Sequence, residues 1–311
     1  MRITLKNKNY NLPDFLIVGA AKSGTTSLHY NLGDRDDVCF PKVKEPHFFA
    51  FYNDQPEFKS PEKLPTVVSN IDAYVKLFKR KKENAIVGDA SPSSLYYHHK
   101  AIKNIKALYG EDSKNIKIVI ILRNPVDRAW SQYWHFRKNS NEDKSFLEAI
   151  DKKTIQSRLE QNWNIFYDYI GFGMYSDQIK AYQEHFNAVK VFLFEDLKND
   201  PKTLMDDFCE FIEIEPQEII SQRQYNPSGL PKKDLYGRLW KLNTGVKVLK
   251  PLKRILPYKF RKALSNRILE KALERQVMPD EIRRQLESIY KQEIEQLYDI
   301  LKREEIKTWI Q

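Results

Sequence analysis

The stretch that decides the fold reads DFLIVGAAKSGTTSLHYNL and covers residues 14–32. Its apolar run from Phe15 to Ala20 is typical of a buried parallel strand, and small residues end that run. The segment from Thr26 to Leu32 predicts a helix that Gly33 ends. A strand that passes through such a loop into a helix indicates an anion site. The first N–H groups of a helix lack intrahelical partners and carry partial positive charge.

Further apolar segments alternate with helical patterns along the chain. We predict strands at Val38–Phe40, Ala85–Gly88, Ile116–Leu122 and Val189–Phe194. We predict helices at Ile71–Lys81, Lys100–Tyr109, Pro125–Lys138 and Tyr175–Phe186. This alternation indicates an α/β fold with a mostly parallel, doubly wound sheet that is flanked by helices.

The character of the sequence changes near residue 226, which divides the chain into a predicted α/β core over 1–225 and a basic, helical region over 226–311. Apolar residues recur at helical spacing after Pro279: Ile282, Leu286, Ile289, Ile294, Leu297 and Leu301. They predict a C-terminal helix packed on the core, with a solvated or partner-binding helix as the alternative. Basic residues interleaved with apolar ones suggest peripheral contact with an anionic membrane: Lys247, Lys250, Lys253, Arg254, Lys259, Arg261 and Lys262.

Composition narrows the class of protein. The chain has 311 residues and a formal net charge of +10 at pH 7. Its apolar runs are far shorter than the roughly 20 residues that span a bilayer, and residues 1–14 lack the apolar core of a signal peptide. Cys39 and Cys209 form no close pair or metal spacing, so we expect a reduced, cytoplasmic protein. The positive charge suits a polyanionic ligand, nucleic acid or an acidic membrane.

A second strand-to-helix junction lies within IVIILRNPVDRAWSQYWH, residues 118–135. Arg123 ends the predicted strand, Asn124 is a good N-cap, and Pro125 suits the first helical position. Arg123 and Ser131 can converge on one phosphate, a task that suits the bidentate fork of arginine. The alternative is a surface arginine and an ordinary mid-helix serine.

The first loop differs from the usual nucleoside-triphosphate loop, G-x-x-x-x-G-K-[ST]. Gly19 and Gly24 have the right spacing, but Thr25 stands where the lysine is expected and Lys22 lies upstream. A P-loop kinase or nucleotide hydrolase therefore remains an alternative, in which Asp89 could supply a Mg²⁺ ligand. A non-catalytic binder of nucleic acid or acidic membranes is another. We predict no nucleic-acid partner, because zinc-finger spacings and RNA-binding aromatic signatures are missing from the sequence.

Both junctions resemble segments of the sulfotransferase family. FLIVGAAKSGTTSLHYNL is similar to its 5′-phosphosulfate loop, G-x-P-K-[ST]-G-T-T, with Ala21 in place of proline. LRNPVDRAWSQY matches its 3′-phosphate segment, L-R-[ND]-P-x-x-R-x-x-S-x-[YF], at every specified position. KEPHFF at 44–49, GDASPSSLYY at 88–97 and YNPSGLPKK at 225–233 resemble carbohydrate-type members, including heparan sulfate enzymes and bacterial homologues.

The resemblance implies a P-loop NTPase-like fold and a metal-free reaction. The sulfuryl donor is 3′-phosphoadenosine 5′-phosphosulfate (PAPS), and the product is adenosine 3′,5′-bisphosphate. The implied donor-binding residues are Lys22, Ser23, Gly24, Thr25, Thr26, Ser27, Arg123 and Ser131, together with Lys232 and Lys233 in a loop that covers the donor. The acceptor is then a hydroxyl or amine of a saccharide or glycoconjugate, with a small alcohol or phenol as the alternative.

The resemblance also implies catalytic and acceptor-binding roles. Lys22 is the candidate for stabilising the leaving oxygen, which bridges phosphate and sulfate. Glu45 is the candidate general base, and His47 is the alternative base because its ordinary pKa lies nearer neutrality. We predict that Lys44, Asp89 and Ser91 bind the acceptor; the alternatives are that Lys44 binds the donor and that Asp89 only caps a turn.

Overall fold

The computed structural model describes residues 1–5, 7–64, 66–78, 84–217 and 276–310, together with short strands at 230–231 and 273–274. The strands are β1 (Arg2–Leu5), β2 (Lys8–Asn11), β3 (Phe15–Gly19), β4 (Val38–Cys39), β5 (Ile86–Ala90), β6 (Lys117–Leu122), β7 (Ala188–Leu193), β8 (Leu230–Pro231) and β9 (Leu273–Glu274).

Helices connect the strands. The α-helices are α1 (Thr25–Gly33), α2 (Phe48–Phe51), α3 (Ile71–Val75), α4 (Ser93–Tyr96), α5 (His98–Tyr109), α6 (Pro125–Lys138), α7 (Phe146–Ile150), α8 (Lys152–Glu160), α9 (Ser176–His185), α10 (Phe194–Asn199), α11 (Pro201–Phe211), α12 (Asp280–Leu301) and α13 (Glu304–Lys307). Short 3₁₀ turns lie at Lys76–Phe78, Gly110–Asn115, Ile165–Tyr167 and Gly171–Gly173.

Strands β3 to β7 form one parallel sheet in the order β4-β5-β3-β6-β7. The predicted doubly wound α/β fold is thereby confirmed. The chain winds from β3 towards one edge and then returns to place β6 on the other side of β3. In such sheets a crevice opens outside the carboxyl ends of the two strands where the winding reverses. The loops after β3 and β6 therefore meet at one crevice.

The central strands are buried because helices cover both faces of the sheet. Successive residues of β3 alternate between two apolar clusters: Leu16 and Val18 contribute to one, and Phe15 and Ile17 to the other. This alternation follows from the two-residue repeat of a strand. The continuous apolar sequence of β3 is thus what a strand with two covered faces needs.

The C-terminal helix α12 packs on the side of the sheet that carries α6 and α9. Its buried stripe is Leu286, Tyr290, Ile294 and Leu297. This stripe corrects one detail of the sequence pattern, because Ile289 is exposed and Tyr290 takes its place in the interior. The Tyr290 hydroxyl donates to the Ile170 carbonyl at 3.0 Å, which satisfies its polar end.

Several local predictions differ from the structure. The hairpin of β1 and β2 was not predicted. The predicted helix from Ile71 ends at Val75 and continues as a 3₁₀ turn to Phe78. Strand β5 continues to Ala90, two residues beyond its predicted end, because Gly88, Asp89 and Ala90 pair with β3. The basic stretch 247–262 lies outside the described residues.

We predict that Gly88→Ala destabilises the protein. A Cβ atom at this position would lie 2.2 Å from the Phe15 ring. That ring cannot move aside, because it packs edge-on against Phe40 and Phe208. Overpacking of this kind costs about 2–3 kcal/mol. Urea unfolding should show the loss. The matched control is Gly33→Ala, whose Cβ meets only Phe40 at 3.8 Å. Equal stability of the two variants would contradict the prediction.

Candidate active site

A cleft of about 600 Å³ opens at the carboxyl ends of β3 and β6. One wall is the loop that links β3 to α1. The opposite wall is one face of α6, and Phe194 and Glu195 follow from the end of β7. Lys44, Glu45, His47 and residues 62–64 also line the cleft. The cleft thus lies where the winding of the sheet reverses.

The loop between β3 and α1 presents the free N-terminus of a helix to this cleft. Gly24 has φ of +106° and is the N-cap of α1, and because glycine has no side chain, no side-chain oxygen caps the first N–H groups. A Cβ there would also lie 2.7 Å from Leu197 Cδ2. Lys22, Gly24, Thr25, Thr26 and Ser27 all line the cleft. The loop can therefore hold an anion by backbone and hydroxyl donors.

Ser23 does not share this placement. Its side chain is fully buried and does not line the cleft, although the neighbouring residues of the loop do. The Ser23 side chain therefore lies inside the loop, and its predicted contact with the sulfuryl donor has no support from its position.

Arg123 joins the second junction to the first. Its Nη1 donates a hydrogen bond to the Lys22 carbonyl at 3.3 Å. Its guanidinium lies 5.0 Å from the Phe194 ring centroid, and the Tyr175 hydroxyl donates to the Arg123 carbonyl at 3.0 Å. Ser131, further along α6, lines the same cleft. The structure therefore brings Lys22, Arg123 and Ser131 together.

The cleft concentrates positive charge. Burial is the main cause that lowers the pKa of Lys22 to about 7; the charges of Lys138 and Arg123 act in the same direction, and Glu45 opposes them. The Lys22 charge, followed by burial, lowers the pKa of His135 to about 2. Burial also lowers the pKa of Arg123. Cations held this close repel each other, and an anion with more than one charge relieves that repulsion.

Lys44 and Glu45 stand beside the first loop. Lys44 Nζ donates to Thr26 Oγ1 at 3.1 Å and also forms an ion pair with Glu45. Both side chains line the cleft. Glu45 has φ of +56°, a conformation that is uncommon for a residue with a side chain. A carboxylate therefore lies next to the cationic loop and is accessible from the cleft.

His47 belongs to a buried hydrogen-bond network. Its Nδ1 contacts Ser93 Oγ at 2.8 Å, and its backbone N–H donates to Ser91 Oγ at 3.1 Å. Ser91 Oγ in turn donates to Asp89, whose other carboxylate oxygen accepts from the Tyr74 hydroxyl, each at 2.6 Å. Burial lowers the pKa of His47 to about 4 and raises that of Asp89 to about 6.

This network revises the view of Asp89 and Ser91. Neither residue lines the cleft, and both are committed to partners in the interior. Their predicted contact with an acceptor therefore has no structural support. Their contacts hold the backbone at His47, two residues after Glu45.

Lys232 and Lys233 lie outside the described residues, so their predicted donor contact stays a prediction.

Other residues of the cleft were not identified from the sequence: Glu62, Lys63, Leu64, Trp130, Trp134, His135, Asn164, Phe166, Phe194, Glu195 and Lys198. Three of these residues could have been found from helical periodicity. Trp130, Trp134 and His135 line the cleft on the face of α6 that also carries Asp127 and the predicted Ser131. Of the others, Phe194, Glu195 and Lys198 belong to α10, and the rest come from loops and a 3₁₀ turn far apart in the chain.

The sulfotransferase-domain family model matches residues 12–228. This chain belongs to the sulfotransferase family. A crystal structure of a sulfotransferase from Alicyclobacillus acidocaldarius is similar to this sulfotransferase, with a TM-score of 0.70 and 26% sequence identity, over 96% of this chain and 99% of that one.

Two curated relatives show the range of similar sequences. A bifunctional heparan sulfate N-deacetylase/N-sulfotransferase 1 from Xenopus laevis is 26% identical over 65% of this chain and 22% of its own length. The membrane-associated sulfotransferase kil1 from Dictyostelium discoideum is 29% identical over 43% of this chain and 25% of its own length. This sulfotransferase thus spans about a quarter of the length of these relatives. Among its described residues, no helix is both long and apolar enough to cross a membrane.

We predict that the Lys22 ammonium loses its proton near neutral pH in the ligand-free protein. The pKa of about 7 means that Lys22 is mostly charged below pH 7 and mostly neutral above it. NMR of protein carrying ¹³C-labelled lysine should show one Cε resonance with a midpoint near pH 7. Lys22→Arg should remove that resonance and keep the positive charge. Added pyrophosphate should move the midpoint upwards, because an anion favours the charged form. A Lys22 resonance that moves only above pH ~9 would contradict the assignment.

Proposed function

We propose that this sulfotransferase transfers a sulfuryl group from PAPS to a hydroxyl or amine of a saccharide or glycoconjugate. One observation carries the proposal: Lys22 and Arg123, from two different strand-to-helix junctions, lie in one cleft and are joined by a 3.3 Å hydrogen bond. The two ends of PAPS are anionic, and each junction offers donors suited to one end.

The residues present fit such a donor. The free N-terminus of α1, with Thr25, Thr26 and Ser27, suits the 5′-phosphosulfate, because N–H groups and hydroxyls can surround its oxygens. Arg123 and Ser131 suit the 3′-phosphate. The predicted donor-covering loop, which contains Lys232 and Lys233, belongs to the same proposal.

When bound, PAPS supplies an activated sulfuryl group whose S–O bond to the phosphate breaks as a bond from the acceptor oxygen or nitrogen to sulfur forms. Lys22 lies in the loop that would hold the phosphosulfate, so its ammonium can stabilise the charge that develops on the leaving oxygen. Glu45 lies beside this loop and can accept the proton that the acceptor releases. Preorganised charge in a sheltered cleft is the main contribution of the protein to catalysis.

Glu45 fits the role of base better than His47. The His47 ring is buried and its Nδ1 contacts Ser93 Oγ, and burial lowers the pKa of His47 to about 4. The Glu45 carboxylate lines the cleft and has Lys44 as an ion-pair partner. His47 supports the loop through its backbone.

The cleft also offers groups suited to a saccharide. Glu62, Lys63 and Asn164 can exchange hydrogen bonds with hydroxyls or amines, and Phe166 provides an aromatic face. The heparan sulfate relatives support this acceptor class. A small alcohol or phenol is the alternative, and a panel of saccharides and phenols assayed with ³⁵S-labelled PAPS would separate the two.

We predict that adenosine 3′,5′-bisphosphate binds to the wild-type protein and that Arg123→Ala weakens its binding by roughly 10- to 100-fold, the usual cost of losing hydrogen bonds to a charged group. Isothermal titration calorimetry measures the affinity. Arg284→Ala is the matched control, because Arg284 is exposed on α12 and does not line the cleft. Wild-type protein that does not bind the bisphosphate, and instead turns over ATP with Mg²⁺, would favour the P-loop kinase alternative.

We predict that Glu45→Gln lowers kcat by about 10² to 10⁴, because the amide cannot accept the acceptor's proton. The affinity for adenosine 3′,5′-bisphosphate should change little, since Glu45 has no role in holding the donor's phosphates. Single-turnover transfer from labelled PAPS measures the rate with a saccharide that the wild type modifies. If the kcat of the variant stays within about threefold of the wild-type value, Glu45 is not the general base.

A further inference from the structure

The C-terminal segment of the described chain packs against the end of the cleft that contains Arg123 and Glu195. Trp309 is only 2% exposed. Its carbonyl accepts a hydrogen bond from Asn124 Nδ2 at 3.0 Å, and its Nε1 donates to Glu195 Oε1 at 3.2 Å. Asn124 directly follows Arg123 and is the N-cap of α6. One tryptophan therefore fastens the junction after β6 to the junction after β7.

A neighbouring ion pair strengthens this docking. Arg303 Nη2 contacts Asp196 Oδ1 at 2.7 Å. The Asp196 carboxylate also accepts from the Leu193 N–H at 2.9 Å, at the N-terminus of α10. The segment from Arg303 to Trp309 is thus held at several points against the same end of the sheet. Its position is defined by the fold and does not depend on one contact.

Glu195 is the unusual group at this place. It lines the cleft that we assign to an anion, and it carries a negative charge that faces Arg123. Its second oxygen, Oε2, is buried and has no hydrogen-bond partner among the residues that the structure describes. A carboxylate with one unsatisfied oxygen near a guanidinium would gain from pairing with it.

Arg123 is open to such a pairing. In the described part of the chain its guanidinium contacts the Lys22 carbonyl and the Phe194 ring, and no ion pair joins it to a carboxylate. A bidentate pair with Glu195 would use the same N–H groups that a phosphate needs. The hydrogen bond from Trp309 holds Glu195 in its present position, away from that pairing.

We propose that Trp309 is a positioning residue of the donor site, which restrains Glu195 and so keeps Arg123 free for the 3′-phosphate. This inference rests on the proposed function. Without the indole N–H, Glu195 is free to turn towards Arg123 and compete with the phosphate. The loss is therefore specific for ligands that carry a 3′-phosphate.

The test compares two ligands, adenosine 3′,5′-bisphosphate and adenosine 5′-monophosphate, by calorimetry. Trp309→Phe keeps an aromatic ring and removes the N–H. We expect its affinity for the bisphosphate to fall about tenfold or more, the lower end of what hydrogen bonds to a charged group contribute. Its affinity for the monophosphate should stay unchanged. Trp163→Phe is the matched control, because Trp163 is partly buried and does not line the cleft.

A double variant separates restraint from simple packing. In Trp309→Phe with Glu195→Gln the competing charge is gone, so affinity for the bisphosphate should return to near the wild-type value. Equal loss for both ligands in Trp309→Phe, or no recovery in the double variant, would overturn the proposal. If Trp309→Phe does not fold, the affinity of Glu195→Ala for the bisphosphate tests the proposal instead. Retained or tighter bisphosphate binding supports the proposal, and a loss of more than about fivefold overturns it, because Glu195 would then bind the ligand itself.

The wild-type measurement keeps the two proposals apart. If the wild type binds neither ligand, or binds both equally, the proposed donor site is wrong. If the wild type prefers the bisphosphate and Trp309→Phe keeps that preference, the donor site stands and the role of Trp309 is wrong.

Discussion

The adjacency of β3 and β6 in a parallel sheet is the constraint on which the site depends. Parallel neighbours place their carboxyl ends at one edge, so the loops that follow them must share a crevice. For this reason Arg123 Nη1 lies 3.3 Å from the Lys22 carbonyl oxygen, although the two residues are 101 positions apart in the sequence. The buried apolar residues of both strands fix that geometry, because they are packed on both faces of the sheet.

Positively charged side chains lie close together in the cleft, and their repulsion destabilises the ligand-free protein. Burial and neighbouring charges bring the pKa of Lys22 to about 7, well below its usual range. When the charged form of a lysine is unfavourable in the free protein, a bound anion stabilises that form strongly. The chain balances part of this charge with Glu45, which pairs with Lys44, and with Glu195, which Trp309 restrains. Neither carboxylate forms an ion pair with Lys22 or Arg123 in the described part of the chain, because Glu45 pairs with Lys44 and Glu195 accepts a hydrogen bond from Trp309.

The residues behind the cleft matter as much as those on its wall. Asp89, Ser91 and Tyr74 form a buried chain of hydrogen bonds that ends at the backbone of His47. The C-terminal segment acts in the same way at the other end, through Asn124 and Glu195. Buried polar groups of this kind are costly unless each finds a partner. Their partners here hold the loops in place, which explains polar residues that have no contact with the cleft.

The sequence by itself determined the elements whose signals are local. The apolar run of β3, the glycine and hydroxyl residues after it, and the Asn-Pro cap of α6 each predict their own structure. They also placed Lys22 and Arg123 at two strand-to-helix junctions and Ser131 on α6, where the structure has them. Helix α6 begins at Pro125 and ends at Lys138, as predicted, because its N-cap and its periodicity are both encoded within it.

Only the tertiary structure decided which side chains face the cleft. Asp89, Ser91 and Ser23 have the residue types of a binding site, yet packing turns them inwards. The places of Glu195, Asn164 and Trp309 could not be predicted from their own segments, because they depend on contacts among α10, a loop and a C-terminal segment that are distant in sequence. A short-range pattern encodes backbone conformation and hydrogen-bonding capacity. The direction of a side chain, and therefore its chemistry, depends on neighbours that only the folded chain provides.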